Sequence, residues 1–326
     1  MFVSKYNKEF SLYYELRSAV LSESARKHEF CYLKRFDRYI ADNEDGTEDA
    51  LSESFMCKWA AALKGTSGSK ANVIIVIRQF LEYLNLNGYN AFIPIIPKVH
   101  DDYSPYIFSD EELELIFNSA DHTIIKDKKA CKYLSIEFPV ILRLLFSCGL
   151  RIGETVRIQM RNVDLKNGVL KLVNTKNNKH RLVPMSPKMS DILTKYCLAM
   201  GLAGNGEAWL FPGNDKKDHI SDRSVKHRFE CILKDNGMGL KNRKKYERGP
   251  CLHCIRHVFA FRSFKQSEKL GMSLTDTVPF LSIYLGHDSL NETEKYLKFS
   301  SEMHPESTEL FGSFMKDLLP EVDYEA

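Results

Sequence analysis

Three stretches within the first 95 residues repeat apolar side chains every three or four positions, at 22–42, 53–63 and 72–86. In the first of them, Phe36 and Ile40 belong to an apolar stripe, and lysines and arginines lie between its members. This spacing is typical of amphipathic helices that bury one face. The pattern predicts an all-helical amino-terminal region whose basic faces contact phosphates or are simply solvated.

The segment 91–107 interrupts this pattern, because it contains three prolines beside a run of polar residues. Proline ends helices and stiffens linkers, so we place a domain boundary here. A new helix is predicted to begin at Ser109, since Glu112 lies three residues further on and completes a capping box.

Short β-branched segments at 163–165, 169–173 and 180–184 are separated by turn-forming residues and predict a small antiparallel sheet. Helical spacing surrounds this sheet. The expected fold is mainly α, with a helical domain (1–95), a linker (96–107), an α+β domain (108–304) and a tail helix (305–326). The further helices are predicted at 187–201, 221–236, 254–268, 276–285 and 290–298.

The composition is that of an ordinary globular protein, with 326 residues, 44% hydrophobic and 27% charged. No apolar run is long enough to span a bilayer, and the amino terminus lacks the apolar core of a signal peptide. We therefore expect a cytoplasmic protein without a membrane anchor. The eight cysteines are expected to be reduced thiols, and a single Cys-x-x-Cys motif does not predict a metal site.

The net charge of +3 is unevenly distributed along the chain. Residues 305–326 contain six acids and one lysine, a net charge of −5, so the rest of the chain carries +8. A basic body with an acidic tail suits a polyanionic ligand and a segment that docks onto a partner.

Cleaving a phosphodiester bond requires a nucleophile, a proton for the leaving oxygen and positive charge around the phosphorus. Arg151 follows Gly-Leu in the segment SCGLRIGETVRI, at a turn into a helix, and Glu154 is placed to brace it. Lys176 lies in the polar hairpin of VNTKNNKHRLVP, where a long side chain can reach a ligand. Either cation, taken alone, could be an ordinary surface residue.

In the segment LHCIRH, His253, Arg256 and His257 fall on one helix face, near an N-terminus whose free N–H groups attract phosphate. His287 follows Leu-Gly, and Tyr296 comes nine residues later. Tyr296 alone would most often be a packing residue, so only the combination is informative.

The order and spacing of these segments resemble the tyrosine recombinases, or phage-type integrases, over roughly residues 105–300. The matching elements read GLRIGE, TKNNKHRLVP, HCIRH and LGHDSLNETEKY. The resemblance implies that Tyr296 attacks the scissile phosphate and forms a 3′-phosphotyrosyl bond. It also implies supporting roles for other residues: Arg151, Arg256 and His287 bind the phosphate oxygens, Lys176 protonates the leaving oxygen, His253 assists proton transfer, and Glu154 and His257 support them.

No cofactor is implied, because the phosphotyrosine conserves the bond energy. The implied partner is double-stranded DNA, enclosed in a clamp whose helical amino-terminal domain binds the core site, with a homo-tetramer assembled on two DNA sites. Accessory DNA-bending or directionality proteins are a further possible partner. The candidate DNA-contacting residues are Arg35, Arg38, Lys70, Arg78, Lys226, Arg228, Lys241, Arg243, Lys244 and Lys245.

The favoured function is integration and excision of a mobile element. Three alternatives stay open at this point. One is a catalytically silent DNA-binding accessory protein. Another is a dimer resolvase or a type IB topoisomerase-like enzyme with the same chemistry. The last is a metalloprotein built on Cys251, His253, Cys254 and His257.

Overall fold

A computed structural model describes residues 2–43, 48–99, 106–122, 132–173, 180–238, 249–290, 292–293 and 296. The chain divides into two compact units, Met1–Tyr103 and Ser104–Ala326. The first unit is helical, and the second combines helices with a small antiparallel sheet. The fold class expected from the sequence is therefore confirmed.

The described residues of the first unit form four helices, which enclose an aromatic core. Phe10 stacks on Phe80 with ring centroids 4.0 Å apart, and Phe36 packs against Trp59 at 4.8 Å. The helices are α1 (Asn7–Ser18), α2 (Glu23–Asn43), α3 (Glu53–Ala62) and α4 (Ser67–Leu86).

Helix α4 begins five residues earlier than the apolar pattern predicts. The Thr66 side chain accepts a hydrogen bond from the backbone N–H of Ser69 and caps the helix there. Its first turn is polar and includes Gly68, so hydrophobic spacing could not reveal this start.

The second unit begins with α5 (Asp110–Asp121), where Ser109 and Glu112 form the predicted capping box. Helix α6 (Leu134–Cys148) is the most buried helix of this unit, and it packs against α5, α8 and α10. The other helices are α7 (Ile152–Thr155), α8 (Pro187–Ala199), α9 (Asp222–Asp235), α10 (Cys254–Lys269) and α11 (Leu274–Leu285).

The three strands form one antiparallel sheet in sequence order, with β2 in the centre. They are β1 (Val163–Asp164), β2 (Val169–Leu172) and β3 (Arg181–Pro184), and Leu170 pairs with Val183 across the centre. Strand β3 also contacts α11, which brings the start of β3 close to the end of that helix. Among the described residues, no helix is long and apolar enough to cross a bilayer.

Candidate active site

A tight chain reversal places Arg151 at the start of α7. Helix α6 ends at Gly149, which adopts φ +58°, a left-handed conformation that glycine tolerates best. A Cβ atom on Gly149 would run into the ring of Phe259. Glycine is therefore required both by the backbone conformation and by the close approach of α10.

Glu154, in the first turn of α7, lies between two arginines. Its carboxylate accepts hydrogen bonds from Arg151 Nη1 at 3.1 Å and from the Arg151 backbone N–H at 3.2 Å. The same carboxylate accepts from both arms of Arg181, at 3.1 and 2.8 Å. Glu154 therefore braces Arg151, as the sequence suggested, but its main partner is a residue that the sequence did not single out.

The carbonyl groups at the end of α11 hold both candidate arginines. Arg151 Nη1 donates to the Gly286 carbonyl at 3.0 Å, and Arg256 Nη2 donates to the Leu285 carbonyl at 2.7 Å. The other arm of Arg256 donates to the Gly149 carbonyl. Two guanidinium groups from distant segments thus meet at one point, directly before His287.

The aromatic groups of the site pack around Tyr296. Its hydroxyl lies 3.1 Å from Nδ1 of His257, and its ring lies nearly parallel to that of His287 at 6.1 Å between centroids. The rings of His253 and His257 lie 4.7 Å apart. His287 Nδ1 in turn lies 2.6 Å from Oγ1 of the buried Thr293.

The environment keeps the imidazoles neutral at ordinary pH. Burial, followed by the charges of neighbouring cations, lowers the pKa of His253 to about 4 and those of His257 and His287 to about 3. Desolvation is the largest cause of the lowered pKa of each of the three histidines.

The charged groups respond differently to burial. Desolvation, and then the charge of Arg151, lowers the pKa of Arg256 to about 10, so this side chain stays charged at neutral pH. Burial alone would raise the pKa of Glu154, but the hydrogen bonds and charges of Arg181 and Arg151 outweigh it and the pKa falls. Burial raises the pKa of Tyr296, and the positive charge of Arg256 offsets part of that rise.

These groups form a positively charged site with neutral imidazoles and a phenol beside it. Three arginines and one glutamate give the cluster a net charge of +2. Such a site can bind a phosphodiester, stabilise a more negative pentacovalent state, and move a proton to or from a tyrosine oxygen.

Of the candidates from the sequence, seven are brought together here: Arg151, Glu154, His253, Arg256, His257, His287 and Tyr296. Lys176 lies outside the described residues. His257 contacts the tyrosine hydroxyl, as does Arg256, whereas proton transfer at Tyr296 had been expected to involve His253.

The candidate DNA-contacting residues differ in their surroundings. Arg35 and Arg38 are exposed on α2. Lys70 and Arg228 are half-buried, and Lys226 is exposed and paired with Asp222 at 2.7 Å. Arg78 donates to the Pro94 carbonyl at 2.6 Å, so part of its guanidinium serves an internal contact. The run that contains Lys241, Arg243, Lys244 and Lys245 lies outside the described residues.

Arg181, the first residue of β3, was not among the site residues predicted from the sequence. A faint signal existed, because alternation along a strand puts Arg181 on the same face as the buried Val183. Hydrophobicity alone would instead predict that Leu182, which lies between them, is buried and that Arg181 faces solvent. In the structure, Leu182 is 65% exposed. Strand alternation places Arg181 on the inner face, and the contact with Glu154 explains how its charge is accommodated there.

Cys251 and Cys254 lie close to the site, with their sulfur atoms 3.6 Å apart. Within the part of the chain that the structure describes, no three His, Cys, Asp or Glu side chains converge as the ligands of a metal ion would.

Comparisons with known proteins identify the family of this chain. The profile of the phage integrase family matches residues 108–303. The chain is 28% identical over 243 residues to a tyrosine recombinase XerC of Staphylococcus saprophyticus, covering 74% of this chain and 73% of the relative. It is 27% identical over 289 residues to the putative integrase/recombinase y4rE of Sinorhizobium fredii, covering 83% and 85%.

Among solved structures, a lambda integrase dimer bound to a core site has a similar fold. The TM-score is 0.66 at 15% identity, covering 90% of this chain and 77% of that one. The family profile covers more than half of the present chain and includes every residue of the site described above. The chain therefore belongs to the phage integrase family, and it is a tyrosine-type site-specific DNA recombinase.

Proposed function

We propose that Tyr296 is the nucleophile and that Arg151, Arg256 and His287 bind the scissile phosphate. Attack by the phenol oxygen would form a 3′-phosphotyrosyl bond and release a 5′-hydroxyl, with Lys176 as the proton donor. A 5′-hydroxyl from another strand would then reverse the step and rejoin the DNA. No step requires a cofactor.

The observation that carries this proposal is the convergence of Arg151 and Arg256 on the carbonyl groups of Leu285 and Gly286. Carbonyl groups hold both guanidinium groups in place without cancelling their charge, and the carboxylate that also contacts Arg151, that of Glu154, is shared with Arg181. Both cations therefore keep their attraction for a phosphate, directly beside His287 and within the cluster that contains Tyr296.

The contact between the Tyr296 hydroxyl and Nδ1 of His257 supports a more direct role for His257 than the sequence suggested. A phenol is a poor nucleophile at neutral pH, so loss of its proton must accompany the attack. His257 is neutral and lies 3.1 Å from the hydroxyl, so it is placed to accept that proton. His253, whose ring packs against that of His257, would influence the transfer through its neighbour.

The protein acts on DNA, and we propose a homo-tetramer on two duplex sites as its working form. Support comes from α11, where Phe280 and Ile283 are 69% and 73% exposed on neighbouring turns. Exposed apolar pairs of this kind are typical of interaction surfaces. The tail 305–326 of a neighbouring copy, which is expected to be a helix, would cover them. Accessory proteins and a cytoplasmic location stay predictions.

The biological role that we propose is integration and excision of a mobile element. Covalent capture in cells tests the chemistry and the role together. Wild type, Tyr296→Phe and Tyr284→Phe are expressed beside the DNA that flanks the native gene, and the DNA bound after strong denaturation is sequenced. Tyr284→Phe removes a hydroxyl from a nearby tyrosine on α11 and serves as the matched control.

We expect wild type and Tyr284→Phe to retain DNA at a few junctions and Tyr296→Phe to retain none. Junctions that join the ends of one element would support the proposed role, and a fixed chromosomal site would indicate dimer resolution. Retained DNA on Tyr296→Phe would refute the nucleophile assignment. No retained DNA on any of the three proteins would favour a silent DNA-binding protein.

A further inference from the structure

Arg181 makes a contact that the proposed chemistry does not use. Both arms of its guanidinium bind the Glu154 carboxylate, one to each oxygen, at 3.1 and 2.8 Å. The side chains of Arg181 and Glu154 are only 10% and 7% exposed. This is a two-point ion pair in a largely buried place, where geometry and charge both matter.

The pair determines how strongly Glu154 holds Arg151. A buried carboxylate needs a cationic partner, because an unpaired charge away from water is costly. With Arg181 occupying both oxygens, Arg151 gives Glu154 only one side-chain contact, and its side chain stays 26% exposed. Without Arg181, the carboxylate would have Arg151 as its main cation and would draw it away from a ligand.

Arg181 also packs against the backbone that carries the arginine-binding carbonyls. Gly286 has φ +64°, and a Cβ atom built on it would lie 2.7 Å from Arg181 Nη1 and 3.1 Å from Cζ. The carbonyl of this glycine accepts from Arg151, and His287 follows it. The guanidinium therefore lies against the junction between α11 and the proposed phosphate-binding group.

We propose that Arg181 is a positioning residue for strand cleavage. It keeps the Glu154 carboxylate occupied and thereby leaves the Arg151 guanidinium free to bind the scissile phosphate. Arg181 itself does not touch the DNA, because both of its arms are engaged and its side chain is nearly buried. This inference rests on the proposed function.

A double-mutant cycle tests the link between the two residues. Arg181→Met, Glu154→Gln and the double variant are compared in single-turnover cleavage of the DNA site recovered by covalent capture. We expect Arg181→Met to cleave roughly a hundredfold more slowly, with DNA affinity within about threefold of wild type. In the Glu154→Gln background, Arg181→Met should lower the cleavage rate by less than about threefold, because no buried carboxylate remains to be neutralised.

Two further variants serve as controls. One tests whether the charge of Arg181 suffices without its two-point contact, and the other tests the effect of removing an arginine elsewhere on the surface. Arg181→Lys keeps the charge but loses the two-point contact, so its rate should lie between those of wild type and Arg181→Met. Arg161→Met removes an arginine from an exposed pair with Glu207 and should leave cleavage unchanged. If Arg181→Met does not fold, the test uses the two remaining variants. These are Arg181→Lys and the double variant, which removes both buried charges.

A methylphosphonate at the scissile position gives a readout that a purely structural role would not change. This substrate lacks one negative charge and depends less on Arg151. We expect the factor by which Arg181→Met lowers the cleavage rate to be at least about tenfold smaller on the methylphosphonate substrate than on ordinary DNA. An equal loss on both substrates, or an equal loss with and without the Glu154 carboxylate, would overturn the proposal.

Different results would contradict the proposed function and the positioning role of Arg181. If wild type does not cleave DNA, or if Tyr296→Phe does, the proposed function is wrong whatever Arg181 does. If wild type cleaves and folded Arg181→Met cleaves at the same rate, only the positioning role is wrong.

Discussion

Arg256 stays charged although only 2% of its surface reaches solvent. A buried cation is usually matched by a carboxylate, and the pair then has no net charge to offer a ligand. Here both arms of Arg256 bind backbone carbonyls, of Gly149 and Leu285, which satisfy its hydrogen bonds and leave its charge uncancelled. Because Arg256 donates to carbonyls and not to a carboxylate, the site keeps a positive charge that can bind an anion.

His257 gives a prediction about pH. Burial lowers its pKa to about 3, against about 6.5 in an unfolded chain, so the unfolded state binds the extra proton between these values. Stability from this group is complete above pH 6.5 and is lost as the pH falls, by up to about 1.4 kcal/mol per pH unit. We expect His257→Asn, which cannot take up the proton, to lose stability less steeply between pH 6.5 and 5.5.

Urea unfolding at pH 7.5, 6.5 and 5.5 measures this difference. The control is His122→Asn, which removes an exposed histidine from the same unit and should follow the wild-type curve. Parallel curves for wild type and His257→Asn would mean that His257 is not held neutral in the folded protein.

Helix ends dominate the site at the scale of the element. Helix α6 ends at Gly149, α7 begins after Arg151, α10 begins after His253 and α11 ends at Gly286. Helix ends leave backbone carbonyl and N–H groups without a partner in their own helix, so these groups can bind side chains or ligands. The two left-handed glycines allow these ends to approach one another closely.

A substitution at Gly149 tests whether the close approach of these helix ends requires glycine. Gly149→Ala would place a β-carbon in a left-handed conformation and against Phe259, whereas Gly201, at φ +65°, has no atom near its own added β-carbon. We expect Gly201→Ala to lower the free energy of unfolding by roughly 1 kcal/mol, from backbone strain alone. Gly149→Ala should cost at least about 1 kcal/mol more, since overpacking adds to the strain.

Chemical denaturation of the two variants makes the comparison. Equal losses would show that α10 can move away from Gly149 at little cost. Cleavage should also fall in Gly149→Ala alone, because the Gly149 carbonyl holds Arg256.

For the whole molecule, charge and exposed apolar surface point to different partners. The chain outside 305–326 carries a net charge of +8, which favours binding to DNA and makes that binding sensitive to salt. The exposed apolar pair Phe280 and Ile283 on α11 instead suits a protein partner. We propose that this partner is a second copy of the chain.

Replacing both Phe280 and Ile283 by Ser tests this assignment. We expect the variant to bind and cleave a single DNA site normally but to fail to join two sites, as measured by light scattering of the complexes and by recombinant product. Leu198→Ser removes a side chain that is 67% exposed on α8, and it should leave assembly intact. Normal assembly of the double variant would place the interface elsewhere.

Much of the fold could be predicted from the sequence because its signals are local. The capping box at Ser109 and Glu112, the three short strands and most helix boundaries depend on neighbouring residues alone. Helix α1 and the start of α4 lacked such a clear apolar pattern, and the prediction missed them. The order of Arg151, His253, Arg256, His287 and Tyr296 also sufficed to recognise the family.

Tertiary structure alone decided which of these residues meet and through which atoms. Arg256 reaches the carbonyl of a residue 107 positions away, and Arg151 reaches one 135 positions away. The pairing of Arg181 with Glu154 and the contact of His257 with Tyr296 likewise depend on how β3, α7, α10 and α11 pack. Local periodicity specifies which face of an element is buried, but the partner of a buried charge is set by elements that are distant in the chain.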